Sequence, residues 1–202
     1  MNEESKKLKN IRTSCKAAKI VSRIILIALI VAAVLSIVSG IVLLANRKNM
    51  DEKILQAAAS GQKINVDMKF GPFVFGRFVD GEFIATEKID SDVPALKAYF
   101  EENADSPSLF LGFYITLMSS VFIVSAVAFF FITSVFDIVV KEGNPFTGKV
   151  IKRTLIAMII LTLIVGSNGG LGFGILMGFL TWVIYTILDY GRVLQIQSDE
   201  TL

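Results

Sequence analysis

The sequence predicts an all-α membrane bundle of four transmembrane helices, with a small α+β extracytoplasmic module between helices 1 and 2. Three observations support this fold class. Hydrophobic residues make up 53% of the 202-residue chain and charged residues 19%, which is too apolar a composition for an ordinary soluble domain. The segments 24–46, 109–136 and 154–188 contain no Lys, Arg, Asp or Glu. Residues 47–108, by contrast, mix both signs of charge with strand-like alternation.

The chain begins with a basic tail, residues 1–23, which leads into the first span, residues 24–46. The tail holds seven Lys or Arg residues and two Glu residues, an excess that is typical of a cytoplasmic flank. Its spaced apolar residues would also suit an amphipathic helix on anionic headgroups. We interpret the charge as a topological signal and expect no direct binding of nucleic acid. The span can cross roughly 30 Å of hydrocarbon and is too long for a signal-peptide core, so we expect it to be retained.

The next segment, residues 47–108, holds eight basic and eleven acidic residues, so we place it outside the cytoplasm. Its pattern predicts a helix over 51–60, three strands, and a second helix that Ser91 or Asp92 would cap. The strands are predicted at 63–70, 73–79 and 82–88. Asp80-Gly81 suits a type I′ hairpin turn between the last two. About 60 residues without a disulfide form a marginal core, so we expect this module to lean on the membrane or on a partner.

The second half of the chain predicts three further spans. Residues 109–136 form the second span, and the short loop 137–153, with four basic and two acidic residues, returns to the cytoplasm. Residues 154–188 are best explained as a hairpin of the third and fourth spans, because the cluster 166–170 (GSNGG) favours a turn. A re-entrant loop is the alternative. The tail 189–202 then lies in the cytoplasm by parity.

Small residues recur every four positions in the predicted spans. They are Ala28, Ala32, Ser36 and Gly40 in the first span, Gly112, Thr116 and Ser120 in the second, and Gly166, Gly170, Gly174 and Gly178 in the hairpin. Such stripes let two helix backbones approach closely. We expect them to pack the bundle internally, and an interface between copies in a homo-oligomer is the alternative.

The residues that most enzymes use are missing from this chain. The sequence contains no histidine and one cysteine, Cys15, which excludes His-dependent nucleophilic catalysis and His- or thiolate-ligated metal sites. The spans contain no charged residue, although ion-coupled transporters usually place one there. We therefore expect no enzyme activity, no cofactor and no metal.

Two short segments resemble a known family. They are Gly143-Asn144-Pro145-Phe146-Thr147 and the ending from Gly191-Arg192-Val193-Leu194-Gln195 through Ser198-Asp199-Glu200-Thr201-Leu202. Together with the four-span layout, they are similar to the bacterial membrane-protein family catalogued as domain of unknown function 2975. The resemblance implies a bacterial plasma-membrane protein. It implies no activity, but it suggests a small helix-turn-helix regulator as a partner.

These two segments would share the cytoplasmic face, and we interpret them as one protein-docking surface. The candidate residues are Asn144, Pro145, Phe146, Thr147, Leu194, Gln195, Asp199 and Thr201. The alternative is that Pro145, Phe146 and Thr147 only start a helix, while the tail packs beneath the bundle.

The expected function is that of a non-enzymatic regulator, sensor or accessory subunit that binds another protein. Besides membrane lipid, the expected partner is a helix-turn-helix regulator or a transporter complex. One alternative is a small transporter or channel component formed by oligomers. Another is immunity to a membrane-active peptide. The sequence does not identify the signal, the partner or the oligomeric state.

Overall fold

A computed structural model describes residues 3–60, 66–70, 73–79, 82–85, 98–100 and 102–200 of the chain. The main elements in chain order are α1 (Glu3–Ala45), α2 (Arg47–Ala59), β1 (Val66–Phe70), β2 (Phe73–Val79), β3 (Glu82–Ala85), α3 (Pro107–Glu142), α4 (Gly148–Gly169) and α5 (Leu171–Glu200). The three strands lie between helices, as the sequence predicted. We describe the molecule as two compact units, residues 1–31 with 122–202 and residues 32–121.

Four helices in the described part of the chain are long and apolar enough to cross a membrane. They are α1 over Thr13–Ala45, α3 over its full length, α4 over its full length, and α5 over Leu171–Ser198. Many of their large apolar side chains are exposed, among them Leu35, Leu163 and Phe179. Apolar surface of this extent needs lipid or another protein to cover it. The prediction of four helices that could span a membrane is confirmed, and it indicates a multi-pass membrane protein.

The basic tail and the first span form one helix. Helix α1 runs from Glu3 to Ala45 without interruption, so its 43 residues are about 65 Å long at 1.5 Å per residue. This is about twice the hydrocarbon thickness of a bilayer. Helix α1 has no break at which the tail could turn to become a separate helix on the membrane surface.

In the unit of residues 32–121, the strands form an antiparallel sheet in the order β1-β2-β3. Val79 pairs with Glu82, which is the register of a two-residue hairpin connection. The connecting residues 80–81 lie outside the described residues, as does the predicted start of the second helix at Ser91 or Asp92. Strand β2 has the predicted bounds, whereas residues 63–65 and 86–88 of the other two predicted strands lie outside the described residues.

An aromatic core joins this sheet to the start of α3. Met68 of the sheet is fully buried with Leu109 and Phe110 of α3, and Phe100 packs against them. The Phe100 and Phe110 ring centroids lie 5.3 Å apart, within the usual range for aromatic pairs. The module therefore leans on a spanning helix, which compensates for a core that would be marginal alone.

Hydrogen bonds from α2 fix the beginning of α3. The Asp51 carboxylate accepts from the Ser108 backbone N–H at 2.8 Å and from the Ser106 hydroxyl at 2.7 Å. A carboxylate on the free N–H groups of a helix start stabilises that end. Pro107 opens α3, where the missing N–H of proline costs nothing.

In the other unit, α4 and α5 form the predicted hairpin. Gly170 connects them with a φ of 89°, a left-handed conformation that favours glycine. A Cβ on Gly174 would lie 3.0 Å from the Gly166 Cα, so the two backbones are in direct contact. Further along, the hydroxyls of Thr162 and Thr181 are hydrogen-bonded at 3.1 Å. Each helix is long enough to span by itself.

Candidate protein-docking surface

The GNPFT segment forms a tight turn between α3 and α4. Gly143 ends α3 with a φ of 70°, and the Asn144 side-chain oxygen accepts from the Phe146 N–H at 2.8 Å. The Thr147 hydroxyl accepts from the Val150 N–H at 3.4 Å, and Thr147 is the N-cap of α4. In both hydrogen bonds a side chain of the turn binds a nearby backbone N–H, and this fixes the conformation of the turn.

The turn and the C-terminal half of α5 are in contact. The Phe146 ring lies on the backbone of Gly191, where an added Cβ would overlap the ring; the Phe146 Cζ is 3.0 Å from that position. The Arg192 guanidinium lies beside Gly148, and its Cζ would be 3.8 Å from a Cβ added to that glycine. The structure therefore brings together the two segments that we interpreted as one docking surface.

The hairpin keeps one antiparallel register along its length. Gly166 faces Gly174, Thr162 faces Gly178, and Gly148 lies beside Arg192. Lys152 and Arg153 lie about one turn further along α4 than Gly148 and therefore match α5 positions that precede Asp189. Helix α5 continues beyond Gly191 to Glu200, and we call this part the extension of α5.

That extension of α5 exposes apolar side chains. Val193, Leu194 and Ile196 have exposed fractions of 45%, 47% and 47%, and we call these three residues the apolar ridge. Gly191 and Gln195, one turn apart, are half-buried on the side that carries the Phe146 contact. Helix α5 thus packs one face on the turn and leaves the ridge open.

The remaining predicted docking residues are placed unevenly. The four residues of the turn are half-buried: Asn144, Pro145, Phe146 and Thr147. All of them except Pro145 make one of the contacts described above. The backbone of Asp199 is helical, but its side chain and the whole of Thr201 lie outside the described residues. Leu194 is therefore the predicted docking residue with the largest described exposure.

An ion cluster that the sequence analysis did not predict ties α1 to α3. The Lys19 ammonium forms an ion pair with the Asp137 carboxylate, and the Arg23 guanidinium lies 3.4 Å from the other carboxylate oxygen. From the sequence, Lys19 and Arg23 contribute only to topology. The sequence did contain one indication of this cluster. Arg23 is the last charged residue before the uncharged segment 24–46, and Asp137 is the first charged residue after the uncharged segment 109–136.

The predicted packing residues of α1 do not all face a neighbour. Gly40 is buried, and a Cβ there would lie 3.0 Å from the Gly112 carbonyl oxygen. Ala32 and Ser36 are half-buried, whereas Ala28 is exposed. Ala33 is buried at 4% exposure, seven residues before Gly40. Ala33 and Gly40 share the buried face because seven residues make almost two full turns of helix. A four-residue step goes about 40° beyond one full turn, so a strict four-residue repeat gradually leaves that face.

Gly170, Gly174 and Gly178 have distinct places in the hairpin. Gly170 forms the turn, Gly174 contacts the α4 backbone, and a Cβ on Gly178 would make an ordinary contact at 3.9 Å with Thr162. Within the part of the chain that the structure describes, no group of three or more Cys, Asp or Glu residues could hold a metal ion.

Comparison of the chain with protein-family models, with curated proteins and with solved structures finds no match in any of the three. The function is therefore argued from the geometry of this surface.

Proposed function

We propose that this chain is a non-enzymatic multi-pass membrane protein that binds a soluble protein through the apolar ridge of α5. It would act as a regulator, sensor or accessory subunit in a bacterial plasma membrane. The Gly143–Thr147 turn would hold the ridge in place, because Phe146 packs on Gly191 at the base of the extension.

The exposure of the ridge beyond the charged residues of α4 is the observation on which the proposal rests. Lipid tails can cover apolar residues only inside the hydrocarbon, and Lys152 and Arg153 lie nearer to it than Val193, Leu194 and Ile196. An apolar face on a helix in water is a typical site for a groove on another protein. The neighbouring positions 193, 194 and 196 present such a face on about one turn of helix.

Charge supports the orientation that the proposal needs. The basic segments 1–23 and 137–153 favour the cytoplasm, and the more acidic segment 47–108 favours the outside. With four spans, the ridge then lies on the cytoplasmic side. The strand module would meet an external signal or partner on the opposite side.

The resemblance in the GNPFT and C-terminal segments favours a small helix-turn-helix regulator as the partner, and a transporter complex is the second possibility. In the first case the membrane protein would hold the regulator at the membrane until a signal releases it. In the second it would be a non-catalytic subunit.

A pair of matched variants tests the proposal. Leu194→Asp places a charge on the ridge, while Leu194→Met keeps an apolar side chain of similar size at the same position. Both proteins would be purified in mild detergent from the native cell, with co-purifying proteins quantified by mass spectrometry. We expect a stoichiometric soluble partner with the wild type and with Leu194→Met, and its loss with Leu194→Asp.

Equal recovery of that partner with both variants would contradict the ridge as the docking site. Recovery of the wild-type chain alone, as a defined oligomer, would contradict the binding of a soluble protein.

The alternative of an oligomeric channel predicts water-accessible hydroxyls at Thr116, Ser120 and Thr162. Each of these hydroxyls donates to a carbonyl of its own helix, at 2.8, 2.6 and 2.8 Å respectively. Such bonds satisfy the donor without water. No feature of the described residues therefore favours the channel over protein binding.

A further inference from the structure

A polar cavity opens where α1 ends and α2 begins, in the unit of residues 32–121. Its volume is about 550 Å³, within the range of small-ligand sites. Leu44 and Ala45 form the apolar edge of its wall, and the polar part consists of Asn46, Arg47, Lys48, Asn49 and Tyr99. The cavity therefore combines two cations, two amides and a phenol with one apolar edge.

No carboxylate of the described residues neutralises the positive charge of this cavity. Arg47 donates to the Asn103 side-chain oxygen at 2.8 Å, which orients the guanidinium without cancelling its charge. Among the described residues, neither Arg47 nor Lys48 is within ion-pair distance of a carboxylate. Asp51, one turn after Arg47 on α2, is hydrogen-bonded to Ser106 and Ser108 instead. An anion is the ligand that this lining would attract.

The cavity lies at the end of the uncharged run of α1, where lipid headgroups would surround a helix that spans the membrane over this run. The uncharged run of α1 ends at residue 46, and the headgroup region of a bilayer adds roughly 5–7 Å beyond the hydrocarbon on each side. Arg47 and Lys48 follow that end directly. On the apolar side, Ile41 and Val42 of α1 are exposed, so acyl chains could lie along α1 below the cavity.

The predicted membrane topology does not explain why two basic residues, Arg47 and Lys48, follow the first span. The orientation predicted from charge puts Arg47 and Lys48 outside the cytoplasm, where basic residues next to a span are disfavoured. A role in binding would explain their position, because a basic residue at the membrane surface attracts anionic headgroups.

We propose that this cavity binds the phosphate group of an anionic phospholipid. Arg47 and Lys48 bind the phosphate oxygens, the amides of Asn46 and Asn49 donate to the polar headgroup, and the acyl chains lie on α1 beside Leu44. A soluble phosphate compound offers the same oxygens but lacks the chains. The proposal is independent of the docking of a protein at the apolar ridge.

The test uses the full-length protein in detergent micelles, with bound lipid counted by native mass spectrometry during titration with phosphatidylglycerol. Lys48→Gln removes a charge from the cavity. Lys53→Gln removes the same charge from the same helix, at an exposed position that does not line the cavity. We expect one retained lipid on the wild type, about fivefold weaker binding by Lys48→Gln, and unchanged binding by Lys53→Gln.

Two further arms identify the source of the phosphate and the need for both cations. Glycerol 3-phosphate, added without lipid, is expected to bind far more weakly than phosphatidylglycerol. The double variant Arg47→Gln/Lys48→Gln is expected to lose the retained lipid.

Wild-type lipid binding by Lys48→Gln, or equal weakening by Lys53→Gln, would overturn the site. Equal binding of glycerol 3-phosphate and phosphatidylglycerol would overturn the assignment to a lipid.

Discussion

At the scale of single residues, Gly191 is the position where the GNPFT turn and the C-terminal part of α5 depend on each other. The Phe146 ring occupies the space that any side chain at position 191 would need. Such contacts tolerate little change, because overpacking forces neighbouring groups to move. The half-buried turn and the helix that carries the apolar ridge therefore meet at one small residue.

We expect Gly191→Ala to destabilise the protein by about 1–3 kcal/mol, since the new methyl group overlaps the Phe146 ring. Gly172→Ala is the matched control on the same helix, because a Cβ at Gly172 meets nothing within 4 Å. That control should be neutral or slightly stabilising, since alanine is the better helix former by about 1 kcal/mol. The measurement is the unfolding midpoint in mixed micelles with increasing sodium dodecyl sulfate.

A second change separates packing from other causes at this site. Phe146→Leu combined with Gly191→Ala should recover part of the lost stability, since a smaller side chain leaves room for the methyl group. Equal unfolding midpoints for Gly191→Ala and Gly172→Ala would contradict the close contact between Phe146 and Gly191.

At the scale of elements, the length of the uncharged segments predicted the candidate spans well. The spacing of small residues predicted only some of the positions where helices pack together. A run without charges must be buried in lipid or protein, and that constraint acts on each segment separately. Which side of α1 faces α3 depends on both helices. Gly40 faces Gly112, but Ala28, which has the same predicted spacing, is exposed.

The same distinction explains what the sequence did and did not predict at the candidate site. The Thr147 cap and the helix through Leu194 are local features, formed by residues that are close together in the chain. The Phe146–Gly191 contact and the Lys19–Asp137 ion pair join residues that are distant in the chain. A single sequence shows which charged residues flank the uncharged runs, but it does not show which distant residues pair.

Helix packing gives a prediction for α1. Gly40→Ala should destabilise the protein by about 1–3 kcal/mol, because the new Cβ would overlap the Thr116 side chain and separate two helices in close contact. Ala28→Val, an enlargement at an exposed position of the same helix, should change stability by less than about 0.5 kcal/mol. The same detergent unfolding midpoint checks both variants. A larger loss from Ala28→Val would mean that the stripe at Ala28 packs against another copy of the chain.

At the scale of the whole molecule, four spans and the distribution of charge together predict which parts face which side. The basic tail and the C-terminal part of α5 would belong on one side and the strand module on the other. Both proposals depend on this arrangement in different ways. The ridge must meet soluble cytoplasmic proteins, while the cavity at Arg47 must meet the opposite leaflet.

The single native cysteine provides a direct test of orientation. In intact cells, a membrane-impermeant maleimide should leave Cys15 unlabelled, because the proposed topology keeps the N-terminal tail in the cytoplasm. In a Cys15→Ser background, Ser60→Cys should be labelled in intact cells and Ser198→Cys only after permeabilisation. Labelling of Ser198→Cys from outside would contradict a chain with four spans and both ends in the cytoplasm.

The uninterrupted course of α1 from Glu3 to Ala45 has a mechanical consequence. Its first 21 residues precede the uncharged run and form a rod of about 30 Å, roughly the diameter of a small domain. A flexible tail would let its first residues explore the whole neighbourhood, but a rod holds them at a fixed distance from its membrane-embedded part. The rod would act as a spacer between the lipid surface and a protein that binds the N-terminal end of α1.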